Sequence, residues 1–112
     1  KTWIKKRRNF ANIYKKELNF SYQSEEKNSC HSYHQFAILV NNRQKIVDLL
    51  KNKGVSSVVH YPKLIYQQPA YSDYKQNLPN AEKISSEVLS IPVHHSLNEE
   101  QILQVIKIMN SL

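Results

Sequence analysis

The groups of this chain that can exchange protons near neutral pH are five histidines and one cysteine, with seven tyrosines as hydroxyl-bearing aromatic surfaces. The most informative set is Val58-Val59-His60-Tyr61-Pro62. A β-branched run there delivers an imidazole and a phenol to its own end, where Pro62 turns the chain away. Strand ends that lead into loops hold binding groups on rigid support. An imidazole that donates or accepts, beside a flat ring with a hydroxyl, suits a sugar hydroxyl or a phosphate better than an apolar ligand. On residue types alone, a structural role for His60 and Tyr61 stands equally open.

Two further clusters invite a metal reading: Cys30, His31 and His34, and the adjacent pair His94-His95. Zinc sites declare themselves by paired ligands at regular spacing. Here one cysteine stands alone, and His31 and His34 precede a strand instead of sharing a helix face. No metal ligands are therefore assigned. His34 is read as packing at a strand start, and His94 and His95 as lying in an exposed loop. A single glycine rules out the Gly-rich phosphate loops of nucleotide-binding folds. No GxSxG elbow supports a hydrolase.

The elements that must position these groups follow from apolar spacing. Trp3, Arg7, Phe10, Ala11, Tyr14 and Leu18 recur three or four apart, an amphipathic helix. Residues 19–32 are polar and turn-rich, an exposed loop. Tyr33 to Val40 reads as a buried strand ending at Asn41-Asn42. Ile46, Leu49 and Leu50 form the face of a second helix, which Gly54 stops. Val55 to Tyr61 reads as a second strand, closed by Pro62. Gln68 to Tyr74 suggests a short helix. A further helix opens at Leu78-Pro79-Asn80, with Ala81, Ile84, Val88 and Leu89 expected to face inward. Ile91-Pro92 reads as a connector or an edge. The last helix starts at Asn98, with acids at its positive end, and buries Ile102, Val105, Ile106, Met109 and Leu112. This order predicts one α+β domain over residues 1–112, a small and mostly antiparallel sheet flanked by helices. Two strands are marginal by themselves, so a further strand or a partner domain is expected.

Composition narrows the setting. The chain is 40% hydrophobic and 22% charged, a globular balance, and its longest apolar run, Phe36 to Val40, is too short to span a bilayer. The lone Cys30 excludes an internal disulfide and fits a reducing, cytoplasmic compartment. The net charge of +7 is concentrated in one place. Lys1, Lys5, Lys6, Arg7, Arg8, Lys15 and Lys16 face only Glu17 within residues 1–20, which leaves the remainder nearly neutral. A basic helix of this kind can contact nucleic acid or an acidic partner, and a small basic binding module is the alternative reading. Its plainer explanation is the solvated face of a helix.

Several pieces, taken in order, resemble the C-terminal part of the DegT/DnrJ/StrS-type aminotransferases, enzymes that aminate nucleotide-linked keto sugars. They are the Arg8/Ala11/Tyr14/Leu18 helix, His31-Ser-Tyr-His34-Gln-Phe36, and Arg43 with Leu50 and Gly54-Val55. His60-Tyr61-Pro62, Gln68-Pro69-Ala70-Tyr71, Leu78-Pro79-Asn80-Ala81-Glu82, Leu89-Ser90-Ile91-Pro92 and Asn98-Glu-Glu-Gln follow. Each is weak alone; eight in the right order are specific. The resemblance implies the C-terminal small domain of a fold type I transferase dependent on pyridoxal 5'-phosphate. The lysine that binds the cofactor is then expected in a large domain upstream, so the segment alone is expected to be inactive. Glutamate as amino donor and a homodimer are implied as well. Matched residue by residue, His60 and Tyr61 correspond to the HYP segment that approaches the nucleotide sugar. His34 corresponds to the last residue of an HxYH motif, with a supporting role. The family often continues HYP with a further proline and a histidine; Leu64 and Tyr66 stand there instead.

Overall fold

A computed structural model describes residues 1–112. Helix α1 (Thr2–Glu17) forms where the stripe predicts and buries Phe10, Ala11 and Tyr14, while Trp3 at its start stays exposed. Its end is closed from a distance. Asn110, at the end of the last helix, donates to the Glu17 carbonyl at 2.6 Å and accepts from the Asn19 amide at 3.1 Å. Those bonds satisfy groups that a helix terminus otherwise leaves to water. Tyr14 is wholly buried and donates its hydroxyl to the Pro92 carbonyl at 2.6 Å. Burial pushes its phenol well above the ordinary tyrosine range, so it stays a neutral donor.

Strand β1 (Phe36–Leu39) pairs antiparallel with β2 (Val88–Ile91), Phe36 opposite Ile91 and Leu39 opposite Val88. Side chains alternate across a strand. Phe36, Ile38, Leu89 and Ile91 therefore enter the main core, with Tyr14, Leu50, Ile102 and Met109. Helix α4 (Glu99–Asn110) packs on α1. It begins with a reciprocal cap in which Asn98 and Gln101 each accept the other's backbone amide.

Helix α2 (Arg43–Asn52) ends at Gly54, whose φ of +74° lies in the left-handed region. The Gly54 amide donates to the Lys51 carbonyl and the Val55 amide to Leu50, while Leu50 and Val55 are both buried. This is the Schellman arrangement with its hydrophobic contact. It is the stop that the single glycine predicts.

Two strand expectations are corrected. Residues 55–61 form no strand: only Val58 makes a bridge, exchanging two backbone bonds with Ser90 at 3.1 and 2.8 Å. Beyond it, Pro62 has no donor to extend the ladder. The second strand is instead β2. Helix α3 (Pro79–Glu87) ends before Val88 and Leu89, which were expected on its inner face. Pro92 lies just outside the paired residues and so removes no ladder bond. All four β2 residues are buried, and β2 has a neighbour on each side. Tyr22 makes the matching single bridge to Ile38 on the far side of β1. These two bridges supply the additional edges that a two-stranded sheet needs. Between them and α3 the chain makes an excursion with short 3₁₀ turns at Ile65–Gln67 and Pro69–Tyr74.

Candidate functional site

Ser90 is the only polar residue of β2, and it is buried on the face opposite the main core. Its hydroxyl lies 3.2 Å from His60 Nδ1. The bridge at Val58 fixes the backbone two residues earlier, so the imidazole is held by both backbone and side chain. Because Ser90 engages Nδ1, Nε2 is the nitrogen left for a ligand, as donor or acceptor according to the tautomer.

His60 stands between two hollows. One, of about 290 Å³, has Arg7, His34, His60, His94, Ser57 and Ser90 among its walls, together with Val58, Ile91, Pro92 and Val93. The other, of about 360 Å³, is mostly apolar, with Tyr22, Ala37, Leu39, Ile84 and Val88 around His60 and Gln35. His60 and Gln35 belong to both. A larger hollow of about 680 Å³ lies at the start of α2 and holds none of the candidate groups.

Of the residues singled out from sequence, His60 and His34 thus come together in the first hollow. Tyr61 does not line either one. It is 73% exposed, its ring edge-on to His60 at 5.4 Å between centroids, and its carbonyl accepts from Ser85 Oγ at 3.4 Å. His94 lies in an exposed loop, as read, yet lines the same hollow. His95 stacks on Trp3 at 4.2 Å. Burial first, then the nearby His94, Arg7 and Lys6, lower its pKa. No three His, Cys, Asp or Glu side chains stand close enough to share a metal ion. Tyr66, at the position that departs from the family pattern, donates its hydroxyl to Glu82 and clips the excursion to α3.

Sequence reading gave no site role to Ser90 or Glu25. A lone hydroxyl within Val88-Leu89-Ser90-Ile91 was the available signal for the first. Glu25 had none, because it lies in a polar loop with no periodicity. It forms a hub: Arg8 Nη1 donates to it at 2.7 Å, the His31 amide at 2.7 Å and the Tyr33 hydroxyl at 3.1 Å. The Arg8 bond first, then the His31 amide, hold its pKa down to about 2. The hub ties the loop carrying His34 to α1. It also occupies Arg8 and draws Lys15 to 3.9 Å, so the basic helix does not present one free cationic face.

The profile of the DegT/DnrJ/EryC1/StrS aminotransferase family matches residues 1–110. The chain belongs to this family. It is 36% identical, over 69% of its length, to UDP-2-acetamido-2-deoxy-3-oxo-D-glucuronate aminotransferase of Pseudomonas aeruginosa. Over 96% of its length it is 30% identical to GDP-perosamine synthase of Escherichia coli O157:H7. It spans 21% of the first relative and 31% of the second. Among solved structures, 97% of the chain superposes on 31% of Streptomyces venezuelae DesV, in complex with a ketimine intermediate, with a TM-score of 0.91 and 25% identity. A DegT/DnrJ/EryC1/StrS aminotransferase from Brucella abortus gives a TM-score of 0.89 at 25% identity over the same share of each chain. The α+β fold, with its small antiparallel sheet and flanking helices, is therefore one found within family members. No helix is long and apolar enough to cross a membrane.

Proposed function

We propose that residues 1–112 are the C-terminal small domain of a pyridoxal-phosphate-dependent aminotransferase that moves an amino group, from glutamate, onto a nucleotide-linked keto sugar. The observation that carries this reading is the family match across residues 1–110, reinforced by relatives named for nucleotide-sugar substrates. His60 forms a wall of the sugar site, oriented by Ser90. Its free Nε2 hydrogen-bonds a hydroxyl or phosphate oxygen, and the apolar hollow beside it accepts a less polar part of the same ligand. Tyr61, exposed beside His60, contributes to the same sugar site, and His34 has a supporting role.

Pyridoxal phosphate, when bound, acts as the electron sink for amino-group exchange. No lysine lines either hollow beside His60. The residues here do not fit Schiff-base formation, and we assign the cofactor lysine to a large domain outside this segment. The segment alone is then inactive, and the working enzyme is a homodimer. The free, exposed Cys30 suits a reducing, cytoplasmic setting.

The test is to purify the full gene product and supply glutamate and a UDP-, dTDP- or GDP-linked keto sugar. Visible absorbance from retained pyridoxal phosphate and a mass change matching amine for carbonyl are expected. A full gene product that takes up no pyridoxal phosphate contradicts the reading.

A further inference from the structure

Apart from tyrosine hydroxyls, the chain buries two polar side chains, Ser85 and Ser90. A buried hydroxyl costs free energy unless it is hydrogen-bonded, so the partner each one takes is informative. Both take a partner in one pair of residues. Ser90 Oγ meets His60 Nδ1 at 3.2 Å, and Ser85 Oγ donates to the Tyr61 carbonyl at 3.4 Å.

Ser85 had a nearer choice. A serine within a helix commonly turns its hydroxyl back to a carbonyl of the preceding turn. Ser86, its neighbour on α3, does so to the Lys83 carbonyl at 2.7 Å, and Ser111 does the same to Ile108 at the end of α4. Ser85 instead reaches Tyr61, 24 residues away in sequence. The Ser85 backbone is held in its turn. Arg43, at the start of α2, donates to the Ser85 carbonyl and, at 3.3 Å, to the Val88 carbonyl. That guanidinium spans the junction between α3 and β2, on whose two sides Ser85 and Ser90 stand.

The two serine bonds also have an order. Val58 and Ser90 form an antiparallel bridge, and there the backbone ladder stops. From Val58 to Tyr61 the partners run backwards from Ser90 to Ser85, the sense of an antiparallel pair. Side chains thus carry the pairing past the point where backbone bonds end. This matters most at Tyr61. Its ring is 73% exposed and meets His60 edge-on, at 5.4 Å between centroids. With so little packing around the ring, the backbone beneath it decides where the ring stands, and the Tyr61 carbonyl is tied to the body of the domain by Ser85.

We propose that Ser85 is a positioning residue that holds Tyr61 beside His60, as Ser90 holds His60, with Arg43 fixing Ser85 for that task. The use of Tyr61 toward a nucleotide-linked sugar rests on the aminotransferase reading; the hold of Ser85 on Tyr61 does not.

The experiment uses the full gene product labelled with 3-fluorotyrosine, the Tyr61 signal being assigned by its loss in Tyr61→Phe. Ser85→Ala is compared with Ser86→Ala, which removes a neighbouring hydroxyl whose bond stays within α3. Melting temperature reports that each variant is folded. Ser85→Ala is expected to shift the Tyr61 fluorine signal, and Ser86→Ala to leave it in place. In steady-state kinetics Ser85→Ala is expected to raise KM for the nucleotide-linked keto sugar about threefold with kcat retained, as for one loosened hydrogen-bonded contact. In a Tyr61→Ala background the same change is expected to add nothing, because Ser85 acts through Tyr61. A Tyr61 signal unmoved by Ser85→Ala overturns the proposal, as does an equal shift from Ser86→Ala. An unchanged KM, or a KM rise that persists in full in the Tyr61→Ala background, overturns it as well. If the full gene product takes up no pyridoxal phosphate, the aminotransferase reading falls, and the fluorine signal alone decides whether Ser85 holds Tyr61.

Discussion

At the scale of single residues, the chain divides its polar groups between holding the fold and facing the hollows. Glu25 belongs to the first kind. Its carboxylate is depressed from 4.5 to about 2, chiefly by Arg8, so the native state holds that proton less readily than the unfolded chain does. The stabilisation is therefore present above the ordinary carboxylate pKa and is lost as pH falls towards 2. Glu25→Gln is expected to lower the melting temperature at neutral pH and to flatten its decline across the acid range. Thermal unfolding followed at several pH values checks this; an unchanged acid slope in the variant contradicts the role given to the hub. His60 and Ser90 belong to the second kind. His60 was legible in the sequence because imidazole, phenol and proline stand together at the end of a β-branched run. Ser90 was not, since nothing in the order of residues says that residues 60 and 90 meet. That meeting depends on one bridge between Val58 and Ser90, a long-range pairing that no local pattern encodes.

At the scale of elements, local chemistry predicted what local chemistry controls. The stop at Gly54 and the cap at Asn98 both use groups within a few residues of one another, and both stand as read. Gly54→Ala tests the first. A methyl group there meets nothing within 4 Å, so the cost comes from a φ of +74° alone. A destabilisation of about 1 kcal/mol is expected from the left-handed backbone. Denaturant unfolding measures it; a neutral or stabilising outcome contradicts the cap. The strand assignments failed where pairing decides. Val55 to Tyr61 has the composition of a strand but finds only one partner position, at Ser90. Val88 to Ile91 continues a helical pattern in sequence, yet its backbone is paired in the sheet with β1 on one side and Val58 on the other. Proline was read as a breaker at position 92, although it lies one residue beyond the last pair and disturbs nothing.

At the scale of the whole molecule, the core is well formed on one side of the sheet, and the other side carries the hollows around His60. Tyr14, Leu50, Leu89, Ile102 and Met109 are fully buried between the sheet and its helices. Tyr61, Ile65 and Tyr74, on the excursion that follows His60, remain at least 70% exposed. Large side chains exposed along one excursion are the pattern of surface awaiting cover. That suits the proposed place of this domain against the rest of an aminotransferase, with the His60 wall facing inward. Sequence order supplied the family resemblance, but the hollows around His60 come from segments as distant as Arg7 and His94 and became visible only in three dimensions.

The most direct measurement is steady-state kinetics of His60→Ala in the full gene product. The variant is expected to retain pyridoxal phosphate absorbance and to raise KM for the nucleotide-linked keto sugar by about tenfold, the loss of one hydrogen bond to a polar ligand. A KM equal to that of the unaltered enzyme would contradict the assignment of His60 to the sugar site.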